Sequence, residues 1–371
     1  MSKIGDKLKD WLWALKKNKK AQIMIAVAFG LIIVLIILYF VLQSINSKND
    51  ANNIANNNLN SENGLTAEIT GQAARKIDGI ETAAIDSNLY PTAIIVENLE
   101  TIRPQSGLSQ ANLVYEALAE GGITRFMAVY ATAEDIELIG PVRSARHYFV
   151  DWAEEYGGMF AHIGGSPQAL GILGTTDYMT DLNQFGYPQY YFRDENLYAP
   201  HNLFSTSELQ TFAIRDLGLS DESGDFESYL FKEESEVNSE LAEASDITVE
   251  FSTSAYEAKW QYDESSNSYL RSNGGEPHID KNNDEQLVAK NIVIQKVETQ
   301  LLESDTGRID IVTMGGGDAL LFQDGTVQEG RWIKSERGDR TKFIDLDDNE
   351  FEFNPGTTWI EVVPIEKEVT Y

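Results

Sequence analysis

The 371-residue chain has no cysteine, four histidines, nine prolines and little positive charge: 29 Lys and Arg stand against 59 Asp and Glu, a formal net charge of −30. Each scarcity excludes something. Without cysteine there is no disulfide, no zinc-thiolate or iron–sulfur ligand, no thiol nucleophile and no lipidated cysteine. The deficit of Lys and Arg argues against a nucleic-acid partner, because binding phosphate relies on cations that release counterions. No Walker, HExxH or GxSxG pattern occurs, and neither a metal nor a cofactor is expected. What is present, 42% apolar and 10% aromatic residues, suffices for large packed cores in more than one domain.

The charge is unevenly spread. Residues 1–20 hold seven Lys and two Asp, or +5, while the remainder holds 22 basic and 57 acidic residues, or −35. Between them Ile23–Leu42 carries no charge over twenty residues, enough at about 1.5 Å per residue to cross the roughly 30 Å hydrocarbon core. The run exceeds the usual signal-peptide core of about 7–15 residues. A basic cytoplasmic tip (1–20) and a single-pass transmembrane helix (21–43) are therefore expected in the cell membrane, with the C-terminal domains extracytoplasmic under the positive-inside rule. Nine of the eighteen positions from Asn46 to Asn63 are Asn. Such a stretch buries too little surface to offset its ordering entropy, so 44–75 reads as a flexible tether.

Two folded segments follow, separated by 220–246, where ten acidic residues surround Lys232 and a solvated acidic linker is expected. In 76–219 helices and strands mix. Ala93–Val96 reads as a buried strand; Asn112–Glu120 and Ile123–Tyr130 read as a hairpin about Gly121-Gly122, although the first arm also suits a short helix. Ser144 is placed as the cap of a helix reaching Tyr156, Met159–Ile163 as a strand, Ser166-Pro167 as the start of another helix, and Ser205 with Glu208 as a capping box. From 247 to 371 ten short alternating runs, among them Asn291–Val297, Thr326–Lys334 and Lys342–Asp345, predict a β-rich module. The expected fold class is thus α+β: a transmembrane helix, a mixed α/β domain of layered sheet and helices, then a smaller β-rich domain.

Candidate site residues gather in the first of these. Arg103, Arg125, Arg143 and Arg146 stand out in so acidic a chain, and Ser144 and Arg146 lie at a predicted helix start, where unpaired N–H groups favour anions. Pairing with Glu116, Glu120 or Asp151 is the competing, structural reading. His162, Gly164, Gly165 and Ser166 form a strand, turn and helix cap that suit an anion, with His162 or Glu116 as a general acid or base; His162 as a carbonyl-bonded core histidine is the alternative. Arg193, His201 and Asn202 suit either ligand contact or loop bracing. Trp332, Trp359 and Tyr269 suit sugar stacking or core packing. Asp345-x-Asp347-x-Asn349 shares the spacing of a calcium loop, but Glu350 occupies the glycine position and a hairpin turn is expected. Gly315–Asp318 reads as a turn.

The segments IRPQSGLSQANLVYEALAEGGITRFMAVY, IGPVRSAR, HIGGSPQA, APHNL, GRWIKSE and PGTTWIEVVP together resemble the DUF3048 family, also called YerB-like, over roughly 76–371. The resemblance implies a bacterial envelope protein with a mixed α/β domain and a β-rich domain, here anchored by a helix in place of a lipidated cysteine, and no established activity. Two functions are carried forward. One is a non-catalytic envelope protein of uncharacterised activity, binding an anionic or glycan ligand or a protein partner through an arginine-rich cleft. The other, by looser similarity to LytR-CpsA-Psr enzymes, is an extracytoplasmic phosphoryl or glycopolymer transferase or hydrolase acting on a lipid-linked precursor.

Overall fold

The run Thr92–Glu97 is buried at all six positions, the mark of a strand covered on both faces. It is β1 of a ten-stranded mixed sheet. The computed structural model describes residues 71–371 except 221, 235–243 and 304–305. The expected basic tip, transmembrane helix and most of the tether thus lie outside the described residues. Among those described, no helix is long and apolar enough to cross a membrane.

The large sheet contains β1 (Thr92–Glu97), β2 (Leu113–Leu118), β3 (Thr124–Tyr130), β4 (Met159–His162) and β5 (Thr180–Asn183). The second sheet is built from β6 (Asp246–Glu250), β7 (Glu257–Asp263), β8 (Ser268–Asn273), β9 (Glu276–Pro277), β10 (Val288–Ala289) and β16 (Val369–Thr370). The large sheet resumes with β11 (Asn291–Val297), β12 (Gly315–Gln323), β13 (Thr326–Lys334), β14 (Lys342–Asp345) and β15 (Thr358–Pro364). Its strand order is β14-β13-β12-β11-β15-β2-β3-β1-β4-β5. Strands from 76–219 and 247–371 therefore share one sheet, joined where β15 pairs in parallel with β2. Within the acidic segment, Phe226 and Tyr229 are buried and Leu230–Phe231 pairs with Glu352–Phe353, a packing role that its overall acidity masked.

Alternation along the strands separates two cores. On one face Tyr115, Ala117, Met127 and Val129 meet helix α1 (His147–Ala153), where Tyr115 stacks on Trp152 at 5.3 Å. On the other face Val114, Phe126, Ala128 and Trp359 meet the second sheet, with Trp359 edge-on to Trp260 at 5.2 Å. Trp332, Trp359 and Tyr269 are all buried, so they pack cores and present no face to a sugar. The result is a mixed α+β fold with few helices and one dominant sheet.

Three local expectations need correction. Helix α1 begins at His147 with Arg146 at its N-cap and no side-chain cap; Ser144 lies in the preceding loop. Helix α2 (Pro167–Leu173) does start at the Ser166 cap, but α3 (Ser207–Asp216) is capped by Thr206, because the Ser205 hydroxyl turns inward to the Tyr190 carbonyl. Gly315–Asp318 belongs to β12. A Cβ at Gly317 would lie 2.6 Å from both the Lys296 carbonyl oxygen and the Trp332 indole nitrogen, so glycine here lets an indole cover the strand. Asp345 accepts from the Asp347 and Asn349 backbone N–H groups, forming the expected turn.

Candidate functional site

Strands β1, β2 and β4 run in the same direction, and their C-terminal ends form the edge where ligands of α/β sheets commonly sit. Arg125, near the start of β3, is the register partner of Glu97 at the end of β1. Alternation turns both toward the helical face. The diglycine turn after β2 places Glu120 beside them. Arg125 donates to Glu120 at 3.1 Å and to the Ser144 carbonyl at 3.0 Å. Arg146 donates from Nε to the other Glu120 oxygen and from Nη1 to the Ala145 carbonyl at 2.7 Å. Glu97 lies 3.5 Å from Arg143 and accepts from His201 Nδ1 at 2.8 Å.

Three guanidinium groups therefore share two carboxylates. The Arg143 Nε is buried without a partner among the described residues. Burial, with Arg146 alongside, pulls Arg125 down to about 10, still charged at neutral pH. At Glu120 burial opposes ionisation, but the Arg146 hydrogen bond and the Arg125 charge outweigh it and hold the carboxyl below its usual range.

The glycine loop braces this cluster. Gly164 donates to the Asn183 side chain and Ser166 to the Ala145 carbonyl, while Ser166 Oγ accepts from Ala169. Those groups are thus occupied within the fold, not aimed at an anion. His162 is fully buried, with its ring nitrogens against the Gly164 carbonyl at 2.7 Å and Asp181 at 2.8 Å. Both bonds fix the ring beneath the loop. Arg193 donates to Asn202 at 2.6 Å, and Asn202 to the Leu197 carbonyl, so this pair shapes the loop that carries His201.

Two candidates fall on the opposite face. Arg103 donates to the Asn98 side chain at 2.8 Å and lies over Tyr256. Glu116 is fully buried and paired with Arg271 Nη2. Around them is a buried polar network that sequence reasoning missed. Glu361 lies 3.9 Å from Arg271 and accepts from Trp260 Nε1 at 2.8 Å. The Arg271 guanidinium sits 4.8 Å from the Trp359 ring and 5.3 Å from the Trp260 ring. Burial, then the neighbouring Glu116, pushes the Glu361 carboxyl well above the usual range. The available signal was a charge at a core-facing position: Glu361 in TWIEVVP and Arg271 in SYLRSN.

The comparisons agree with this architecture. Residues 79–220 match the family described as "Protein of unknown function (DUF3048) N-terminal domain", and 247–360 match its C-terminal domain. A Bacillus subtilis (strain 168) relative, named "Putative lipoprotein YerB", is 33% identical over 302 residues, 78% of this chain and 85% of the relative. The crystal structure of YerB protein from Bacillus subtilis superposes with a TM-score of 0.71 at 30% identity, covering 81% of this chain and 100% of that one. With both family domains present in order, the chain belongs to the DUF3048 family.

Proposed function

We propose that this protein is a membrane-anchored, extracytoplasmic component of the cell envelope that binds an anionic, phosphate- or carboxylate-bearing ligand through the basic cluster of Arg125, Arg143 and Arg146. The observation that carries this reading is the charge imbalance: three guanidiniums on two carboxylates. In a chain of −30, such a local cationic site focuses anions by contrast. The uncharged run Ile23–Leu42 and the lipoprotein description of the relative support the location. Binding is favoured over group transfer because His162 and Glu116 are both buried and engaged with other partners.

Calorimetric titration of the full chain with inorganic pyrophosphate tests the reading. Saturable binding that weakens with salt and falls about tenfold or more in Arg143→Ala is expected, the size of one or two charge-assisted hydrogen bonds. Absence of saturable binding, or equal binding by the variant, would exclude it.

A further inference from the structure

At the opposite end of β1 from the arginine cluster, a cavity of about 320 Å³ lies between the 131–135 loop after β3 and the first turns of α3. Its mouth carries Glu134, Asp135 and Glu208, all exposed and none in an ion pair with a described residue. No Lys or Arg lines it. The cavities that include Glu276, Pro141 and Asp324 each have a Lys or an Arg in their lining, so the missing cation sets this one apart. Arg75 reaches the Thr132 hydroxyl at 3.4 Å, but its charge is taken up by Asp78 at 2.6 Å.

The interior is apolar with one polar exception. Half-buried Tyr90 and Ile214 pack against the core that holds Ile94 and Ile139, and all four line the cavity. Thr92 lines it too. That residue is only 4% exposed, yet its hydroxyl makes no hydrogen bond to a described residue and its oxygen is not among the enclosed, unpaired polar atoms, so it keeps accessible surface on the cavity side. A hydroxyl so nearly buried is normally paired. Thr92 is the register partner of Tyr130, after which the chain enters the 131–135 loop, so the hydroxyl and the loop acids border the same space.

We propose that this cavity binds a small organic cation, an ammonium on an apolar body of about the size of a phenylethyl group. The ammonium donates to the uncompensated carboxylates and to the Thr92 hydroxyl, and the body packs against Tyr90 and Ile214. A volume near the lower limit of ligand pockets, roughly 300 Å³, suits a single ring. Among the described residues no acidic group is arranged to hold a metal ion, and the apolar walls favour an amphiphilic cation over a polyamine. The site is independent of the anion-binding reading, since none of Arg125, Arg143 or Arg146 lines it.

The test is calorimetric titration of the full chain with 2-phenylethylamine at neutral pH. Saturable binding that weakens with salt is expected, while 3-phenylpropionate (same body, opposite charge) and ethylamine (same charge, no body) bind at least about tenfold more weakly. Two variants probe the lining. Glu134→Gln combined with Glu208→Gln changes only exposed side chains and leaves Asp135, which accepts from Ser207, in place; it is expected to lose binding about tenfold. Thr92→Val keeps the β-branched shape and removes the unpaired hydroxyl, so binding is expected to fall at least about threefold while the thermal midpoint stays the same or rises. Absence of saturable binding, equal binding of either control compound, or equal binding by either variant would each overturn the proposal.

Discussion

Glu116 and Glu361 are register partners on the adjacent parallel strands β2 and β15, and both carboxylates lie fully buried against the single guanidinium of Arg271. One cation between two acids leaves the pair short of charge compensation, so one acid retains its proton.

That proton makes stability depend on pH. Burial raises the folded-state affinity of Glu361 for its proton above the unfolded value of about 4.3. Above that pH the folded state binds more protons than the unfolded state, so stability falls as pH rises through the folded value. Glu361→Gln keeps an oxygen for Trp260 and removes the titration. Between about pH 5 and 8, above the window in which Glu120 titrates, urea midpoints are expected to fall more steeply in the wild type than in the variant; parallel slopes would refute the assignment.

Removing the cation has a different consequence. Arg271→Met leaves the Glu116 carboxylate buried without its cation, held only by Asn98 and Thr124, which costs about 3–5 kcal/mol for a buried ion pair broken on one side. Combining it with Glu116→Gln is expected to restore most of that loss, because the stranded charge disappears. Denaturant unfolding of the single and double variants measures the coupling.

Glu120 titrates in the opposite sense. Held below the usual glutamate range by Arg146 and Arg125 against the effect of burial, it contributes stability that is present above about pH 4.3 and lost as pH falls through its folded value. Glu120→Gln is expected to lower neutral-pH stability, reduce acid sensitivity and tighten pyrophosphate binding, since the three arginines then face one carboxylate. Weaker binding by this variant would count against the arginine cluster as the anion site.

Much of the β structure was legible because period-two alternation is local. Thr326–Lys334, Lys342–Asp345 and Asn291–Val297 end where the runs end, and the Ser166-Pro167 cap needs only neighbouring residues. The Ser205 cap failed because a distant carbonyl, that of Tyr190, claims its hydroxyl. The arginine cluster was legible in part. Arg143, Ser144 and Arg146 are close in sequence, and Arg125 joins them through its pairing with Glu97. Arg103 was grouped with them by sequence, yet β1 alternation sends Glu97 to the helical face and the Asn98 that holds Arg103 to the other.

From the sequence alone came the composition limits, the uncharged run Ile23–Leu42, many of the strand positions and the family. Only tertiary structure decided which charges meet. Arg271 reaches Glu116 across 155 residues of chain, because this contact depends on how two sheets stack, and stacking follows the total apolar surface buried rather than any local pattern of residues.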